Sequence, residues 1–179
     1  MFATTKRGAR ISYATPTATD LVDGSTGVTC SPASGTRFAP GETVVTCTTA
    51  DRTGNHASRS FTAAVTFSAP LDGSFYLAPI APDGSAEFRA GSIIPVRFRL
   101  TGPSAGIPDL RARLFVYRIE NGELVPVLRR HNQYLYDFVR DRYVFPLITW
   151  LWRPGTYLLR TELGDGVEHE VQITLTPHH

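Results

Sequence analysis

The residues of this chain with the widest chemical options are its two cysteines, Cys30 and Cys47, which sit in the stretch GVTCSPASGTRFAPGETVVTC. Such a pair can bind metal, cycle as a redox dithiol, supply a nucleophile, or cross-link the chain. A zinc site takes four ligands, usually as close Cys or His pairs, whereas these cysteines stand 17 positions apart and the nearest histidine, His56, is alone. A redox pair calls for C-x-x-C at a helix start, and nothing nearby offers a base to a thiol nucleophile. Cross-linking fits the local pattern best. GVTC and ETVVTCTTA read as strands, and SPASG and APGE let the chain reverse between them. A bridge closing a loop of this size stabilises by about 3 kcal/mol and implies an oxidising compartment. Two reduced thiols buried in a cytosolic β-domain remain the alternative.

The other reactive side chains point to turns and packing. Asp72, Asp83 and Asp165 each precede glycine, as tight turns require. In TADRTGN, Asp51 lies four residues before Asn55. The pair reads as an Asx-type cap with a left-handed Asn, and calcium is its alternative ligand chemistry. There is no H-E-x-x-H or Walker loop; G-x-S-x-G occurs once, as GPSAG at 102–106, with no helix pattern after it of the kind a nucleophile elbow needs, and no carboxylate pair is marked by its spacing as a glycosidase dyad. His131 and His169 read as solvated or packed. Catalysis is not expected.

Aromatic residues offer a binding chemistry instead. In ITWLWRPGTY, strand geometry would put Ile148, Trp150 and Trp152 on one face, with Tyr134, Tyr136 and Tyr143 just upstream. These rings either fill a core or, where exposed, form a sugar-stacking platform of Trp150, Trp152 and Tyr136 with Arg140 beside it for acidic groups. The run RRHNQYLYDFVRDR holds Arg129, Arg130, Arg140 and Arg142, but Asp137 and Asp141 dilute its charge. A nucleic-acid partner is not expected.

The elements that must hold these residues are strands. The 179 residues are 42% hydrophobic and 19% charged with a net charge of +2, which describes a folded chain without a strong electrostatic partner. Lys6 is the only lysine among eighteen basic residues, so amine chemistry has one candidate. No apolar run is long enough to span a bilayer, and membrane insertion is not expected. The opening MFATTKRGARISYATPTATD lacks the pattern of a signal peptide. Its FATT reads as the end of a strand, as though the chain were excised from a longer protein.

Residues up to 67 are rich in Thr, Ser, Ala and Val; from about 72 the texture shifts to Leu, Phe, Tyr, Trp and Arg. FSAPLDGS lies between them, which predicts domains at 1–68 and 69–179. Both halves alternate with period two. In IPVRFRL, residues Ile94, Val96, Phe98 and Leu100 share a face; in VEHEVQITL, Val167, His169, Val171, Ile173 and Leu175 do. Strand-like runs joined by NG, DG and PG steps predict antiparallel hairpins and two all-β sandwiches.

Residues 9–66 resemble the hyalin repeat (HYR) domain, an immunoglobulin-like extracellular module, through PTATD, VTCSPASG, F-x-x-G-x-T-x-V-T-C and D-x-x-GN. The resemblance implies pairing of Cys30 with Cys47. A second cysteine pair of many members would fall near Val22 and on Arg59, and both are absent here. AGSIIPVRFRLTG resembles the signature of the PxKF domain, with Pro95, Arg97 and Phe98 in the motif and arginine for its lysine. YVFPLITWLWRPGTYLLRTELGDG matches that family's aromatic strand and hairpin, with Tyr157 where many members have cysteine. Residues 103–140 lie outside the resemblance.

Together these features predict two immunoglobulin-like antiparallel β-sandwich domains in tandem, a non-catalytic pair of extracellular spacer or adhesion modules from a larger bacterial secreted or surface protein. Neighbouring domains are the expected partners, with surface polysaccharide or another protein as further candidates. A carbohydrate-binding accessory module and a self-assembling subunit are the alternatives. No cofactor beyond calcium comes into question.

Overall fold

The computed structural model describes residues 1–20, 24–70, 74–128 and 130–177. Every named element in it is a strand except one 3-10 turn at Gly102–Ser104. The chain divides into two compact units, Met1–Thr66 and Phe67–His179.

The first unit contains β1 (Ala9–Arg10), β2 (Ala18–Asp20), β3 (Gly24–Thr26), β4 (Val28–Ser31), β5 (Arg37–Phe38), β6 (Gly41–Ala50) and β7 (His56–Val65). Its main sheet has the order β4-β6-β7, and β1–β5 and β2–β3 form two short pairs. Alternation along β6 turns Val45 and Cys47 inward and leaves Val44 exposed. Between β1 and β5 the backbones approach so closely that a Cβ on Gly8, at φ +98°, would lie 1.8 Å from the Phe38 carbonyl oxygen. Only glycine fits there. The N-terminus runs parallel to the end of β7: Ala3 N donates to Thr66 O, Thr66 N to Met1 O, and the Met1 ammonium to Ala64 O. The large buried apolar side chains of this unit are few, chiefly Phe38, Val45 and Val65, so burial alone makes a marginal fold.

The second unit contains β8 (Glu87–Arg89), β9 (Ile93–Phe98), β10 (Arg113–Glu120), β11 (Glu123–Leu128), β12 (Leu135–Asp137), β13 (Arg142–Ile148), β14 (Gly155–Glu162) and β15 (Glu168–Thr176). They form a five-stranded sheet, β11-β10-β14-β15-β8, and a three-stranded one, β12-β13-β9. The period-two faces meet in the core: Ile94, Val96 and Phe98 from β9, Leu114 and Val116 from β10, and Val171, Ile173 and Leu175 from β15 are all buried. Asn121 (φ 52°) and Gly122 (φ 83°) turn β10 into β11, the left-handed pair that suits a two-residue hairpin. Phe75, Phe98 and Tyr143 stack successively, with centroids 4.7 and 4.8 Å apart.

Three details depart from the sequence reading. Val167 lies before β15 and is exposed, because the turn from β14 still occupies the chain there. The pairing of β8 with β15 is parallel, in an otherwise antiparallel set of named pairs. The two strands are more than seventy residues apart, and hairpin signals carry no information at that range. Finally, Trp150 and Trp152 do not continue a strand, since β13 stops at Ile148.

Candidate functional site

The two cysteines form a cystine. Cys30 and Cys47 are direct partners across β4 and β6, with Cα atoms 3.9 Å apart. The β6 residues that bond to β7 include Cys47, so toward β4 this is a non-hydrogen-bonded pair, where opposed side chains come closest. The bridge therefore ties neighbouring strands of one sheet.

Asp51 caps the loop between β6 and β7. Its Oδ1 accepts from Thr53 N (2.9 Å), Thr53 Oγ1 (2.9 Å) and Asn55 N (2.8 Å), and its Oδ2 accepts from Asn55 Nδ2 at 2.7 Å. These bonds, those from Asn55 foremost, lower the Asp51 pKa to about 2. Both Asp51 carboxylate oxygens thus accept hydrogen bonds from within the loop. Among the described residues, no group of three or more His, Cys, Asp or Glu side chains is placed to hold a metal. Asp83 similarly accepts from Ser85 N and Oγ. Asp72, Val22 and Arg129 lie outside the described residues. Asp165 does more than shape a turn: it is buried, accepting from Phe67 N at 2.7 Å and Val167 N at 3.2 Å.

The proposed aromatic platform is split. Tyr136 and Arg140 belong to one end of β13, where Tyr136 faces Tyr143 across the β12–β13 pair. Its hydroxyl donates to Asp141, and partial burial followed by that carboxylate pushes its pKa up to about 12. Arg140 is exposed and bonds Asp137 at 3.5 Å. Trp150 and Trp152 follow the opposite end, beyond Ile148, which lies about 17 Å along the strand from Tyr143. Trp152 is structural. It stacks on buried Tyr157 at 5.1 Å, while the Tyr157 hydroxyl donates to Arg153 O. Trp150 is 68% exposed, so it is not a core residue.

Trp150 and Leu151, the latter 96% exposed, occupy the corner positions of a turn closed by Trp152 N donating to Thr149 O at 3.0 Å. Such corners ordinarily take Gly, Pro, Asn, Asp or Ser. Buried Thr149 anchors the turn, donating from N and Oγ1 to Ser92 O at 3.1 and 2.8 Å and accepting from Gly91 N. Beside it, Ile93 and Ile148 are cross-strand partners, 54% and 50% exposed. Arg89 and Arg153 are exposed nearby in sequence, and no acidic residue occurs from 142 to 161. The turn is an exposed apolar projection anchored through Thr149. Sequence reasoning singled out Trp150 but missed Leu151 and Ile93. The available signal was three large apolar residues, Trp150, Leu151 and Trp152, between a threonine and RPG.

His169 is packed. Its ring stacks on Phe75 at 3.8 Å, and its buried Nε2 has no hydrogen-bond partner. Burial lowers its pKa, opposed in part by Asp165. The unfolded chain then binds the proton more readily, so this contribution is complete above the ordinary histidine value of about 6.5 and is lost as pH falls below it. Thermal unfolding between pH 7 and pH 5 should show the second unit losing stability, and His169→Phe should flatten that loss. An unchanged slope in the variant would assign the effect elsewhere.

Comparison with known proteins bears on this geometry. Residues 2–65 match the HYR domain family. That stretch is the unit holding the cystine. No curated protein matches the chain in sequence. Among solved structures it is similar to one described under the structural basis for Dscam isoform specificity, at 14% identity and TM-score 0.28 over 75% of this chain and 32% of that one. It is similar to the insect immune protein hemolin, at 14% identity and TM-score 0.28 over 76% and 29%. A third is SGBP-B of the Bacteroides ovatus mixed-linkage glucan utilization locus, in complex with a mixed-linkage heptasaccharide, at 16% identity and TM-score 0.28 over 84% and 37%. The chain thus spans well under two thirds of each of these three.

Proposed function

We propose that this chain is a non-catalytic pair of extracellular modules that spaces or presents other domains of a larger bacterial secreted or surface protein. The observation that carries the reading is the HYR match at residues 2–65 falling on a small β unit stapled by Cys30–Cys47. A cystine suits an oxidising compartment. The second unit is read as PxKF-like on its sequence motif alone; in β9 the motif's Phe98 lies in the core and Pro95 and Arg97 on the opposite face. Adhesion, where it occurs, is assigned to the Trp150–Leu151 turn. The reading calls for no cofactor.

Exposed Trp150 also favours a second reading, carbohydrate binding at the same turn. Thermal unfolding with soluble polysaccharides distinguishes the two. A ligand at about 100 times its dissociation constant adds roughly 2.7 kcal/mol, a shift that is readily measured. The spacer reading expects none. A polysaccharide that raises the transition of the second unit, with the shift abolished by Trp150→Ala, would replace it with the carbohydrate reading.

A further inference from the structure

A stretch that joins two folded units is ordinarily exposed and makes few contacts, and Pro, Gly and Ser mark it in a sequence. FSAPLDGS has that composition. Its described part, residues 67–70, is nevertheless built into the second unit. Phe67 and Ser68 are each 5% exposed. Phe67 N donates to Asp165 Oδ2 at 2.7 Å, Ser68 N donates to Ser104 Oγ at 2.9 Å, and Ser68 O accepts from Thr101 N at 3.0 Å.

Asp165 lies in the turn between β14 and β15, where its Oδ1 makes the ordinary Asx bond to Val167 N at 3.2 Å. Turn chemistry accounts for that oxygen alone. Oδ2 reaches a backbone N–H 98 positions away and makes the shorter bond of the two. Asp165 is buried, which costs free energy that its hydrogen bonds must offset. Ser104 is wholly buried. Beside it Gly102, at φ +50°, would bring a Cβ within 3.3 Å of Ser68 Oγ, so the strap passes close to the 3-10 turn. Before the junction, Thr66 O accepts from Ala3 N at 2.8 Å inside the first unit. The peptide group from Thr66 to Phe67 is planar. Its carbonyl is therefore held by one unit and its N–H by the other.

We infer that Asp165 is a clasp for the junction, holding residues 67–70 in the second unit and leaving no free linker residue between the two units. With the clasp closed, the chain passes from one hydrogen-bonded framework into the next within a single peptide group. With it open, Phe67 N is released, Ser68 follows, and the same residues become a tether. Asp165 thus decides whether this stretch is fabric or linker. A module that sets the spacing of its neighbours needs its junction fixed, and that use of the clasp rests on the spacer reading. The clasp itself does not. A polysaccharide shift in the second unit would replace the reading and leave the clasp, whereas a free strap would remove the clasp and leave the reading.

Native-state hydrogen exchange and chymotrypsin digestion of the intact chain test it, the cut after Phe67 being read by mass. In the parent, the Phe67 amide should be protected and the Phe67–Ser68 bond should resist cleavage. Asp165→Ala should speed both exchange at Phe67 and cleavage after it at least about tenfold, the effect of losing one bond to a charged group, while the amides of β14 and β15 keep their protection. If that variant loses the second thermal transition outright, Ser104→Ala, which leaves Asp165 in place, carries the test and should raise both rates at least about threefold. A parent whose Phe67 amide exchanges freely would overturn the inference. So would variants cut no faster than the parent, or, in Ser104→Ala, protection of β14 and β15 that falls in step with Phe67, since the opening would then be global.

Discussion

Replacing Cys30 and Cys47 together by alanine is expected to lower the unfolding temperature of the first unit by more than about 10 °C. The bridge closes a loop with a sequence separation of 17, for which restriction of the unfolded chain is worth about 3 kcal/mol. In a cooperative unit of about this size each kcal/mol moves the midpoint by about 4–8 °C. The large buried side chains here are essentially Phe38, Val45 and Val65, so little else compensates. The bridge also joins directly opposed residues of β4 and β6, and its loss frees the short β4 to fray from the sheet. Calorimetry of the double variant beside the parent checks this. A first transition within about 2 °C of the parent would mean that the small core holds the unit without its staple.

Phe98→Ala should have the opposite address. Phe98 is fully buried, stacks on Phe75 and Tyr143, and meets Tyr134 edge-on at 4.9 Å. Truncating such a ring leaves a cavity bounded by other rings that cannot all close on it, at a cost of about 3–5 kcal/mol. The second unit should therefore melt at least about 10 °C lower, with the first transition unmoved. A loss under about 1 kcal/mol would show that the neighbouring rings repack. Together the two variants form a crossed test, each striking one transition.

Alternation made much of this architecture legible. In IPVRFRL it assigned Ile94, Val96, Phe98 and Leu100 to the interior, and all four are buried; the Asn121–Gly122 hairpin carried its own turn chemistry. The cystine was legible because GVTC and ETVVTC read as strands that a turn-rich connection returns to each other. What escaped was set by distance or by rule-breaking. The parallel partnership of β8 and β15 leaves no trace in either segment. Nor does the bond from Phe67 N to Asp165, which gives an aspartate with an ordinary turn signature a buried partner. The strand reading ran on through Trp152 because the turn after Ile148 places Trp and Leu where turn formers belong. The same error merged Trp150 with Tyr136 and Arg140, which the length of β13 keeps apart.

The measurement closest to the central claim is calorimetry of the intact chain with and without reductant. Two stapled-and-unstapled β modules predict two transitions, of which reductant lowers one, the transition also lost in the Cys30→Ala/Cys47→Ala variant, and leaves the other in place. A single transition, or two that both ignore reductant, would contradict the account.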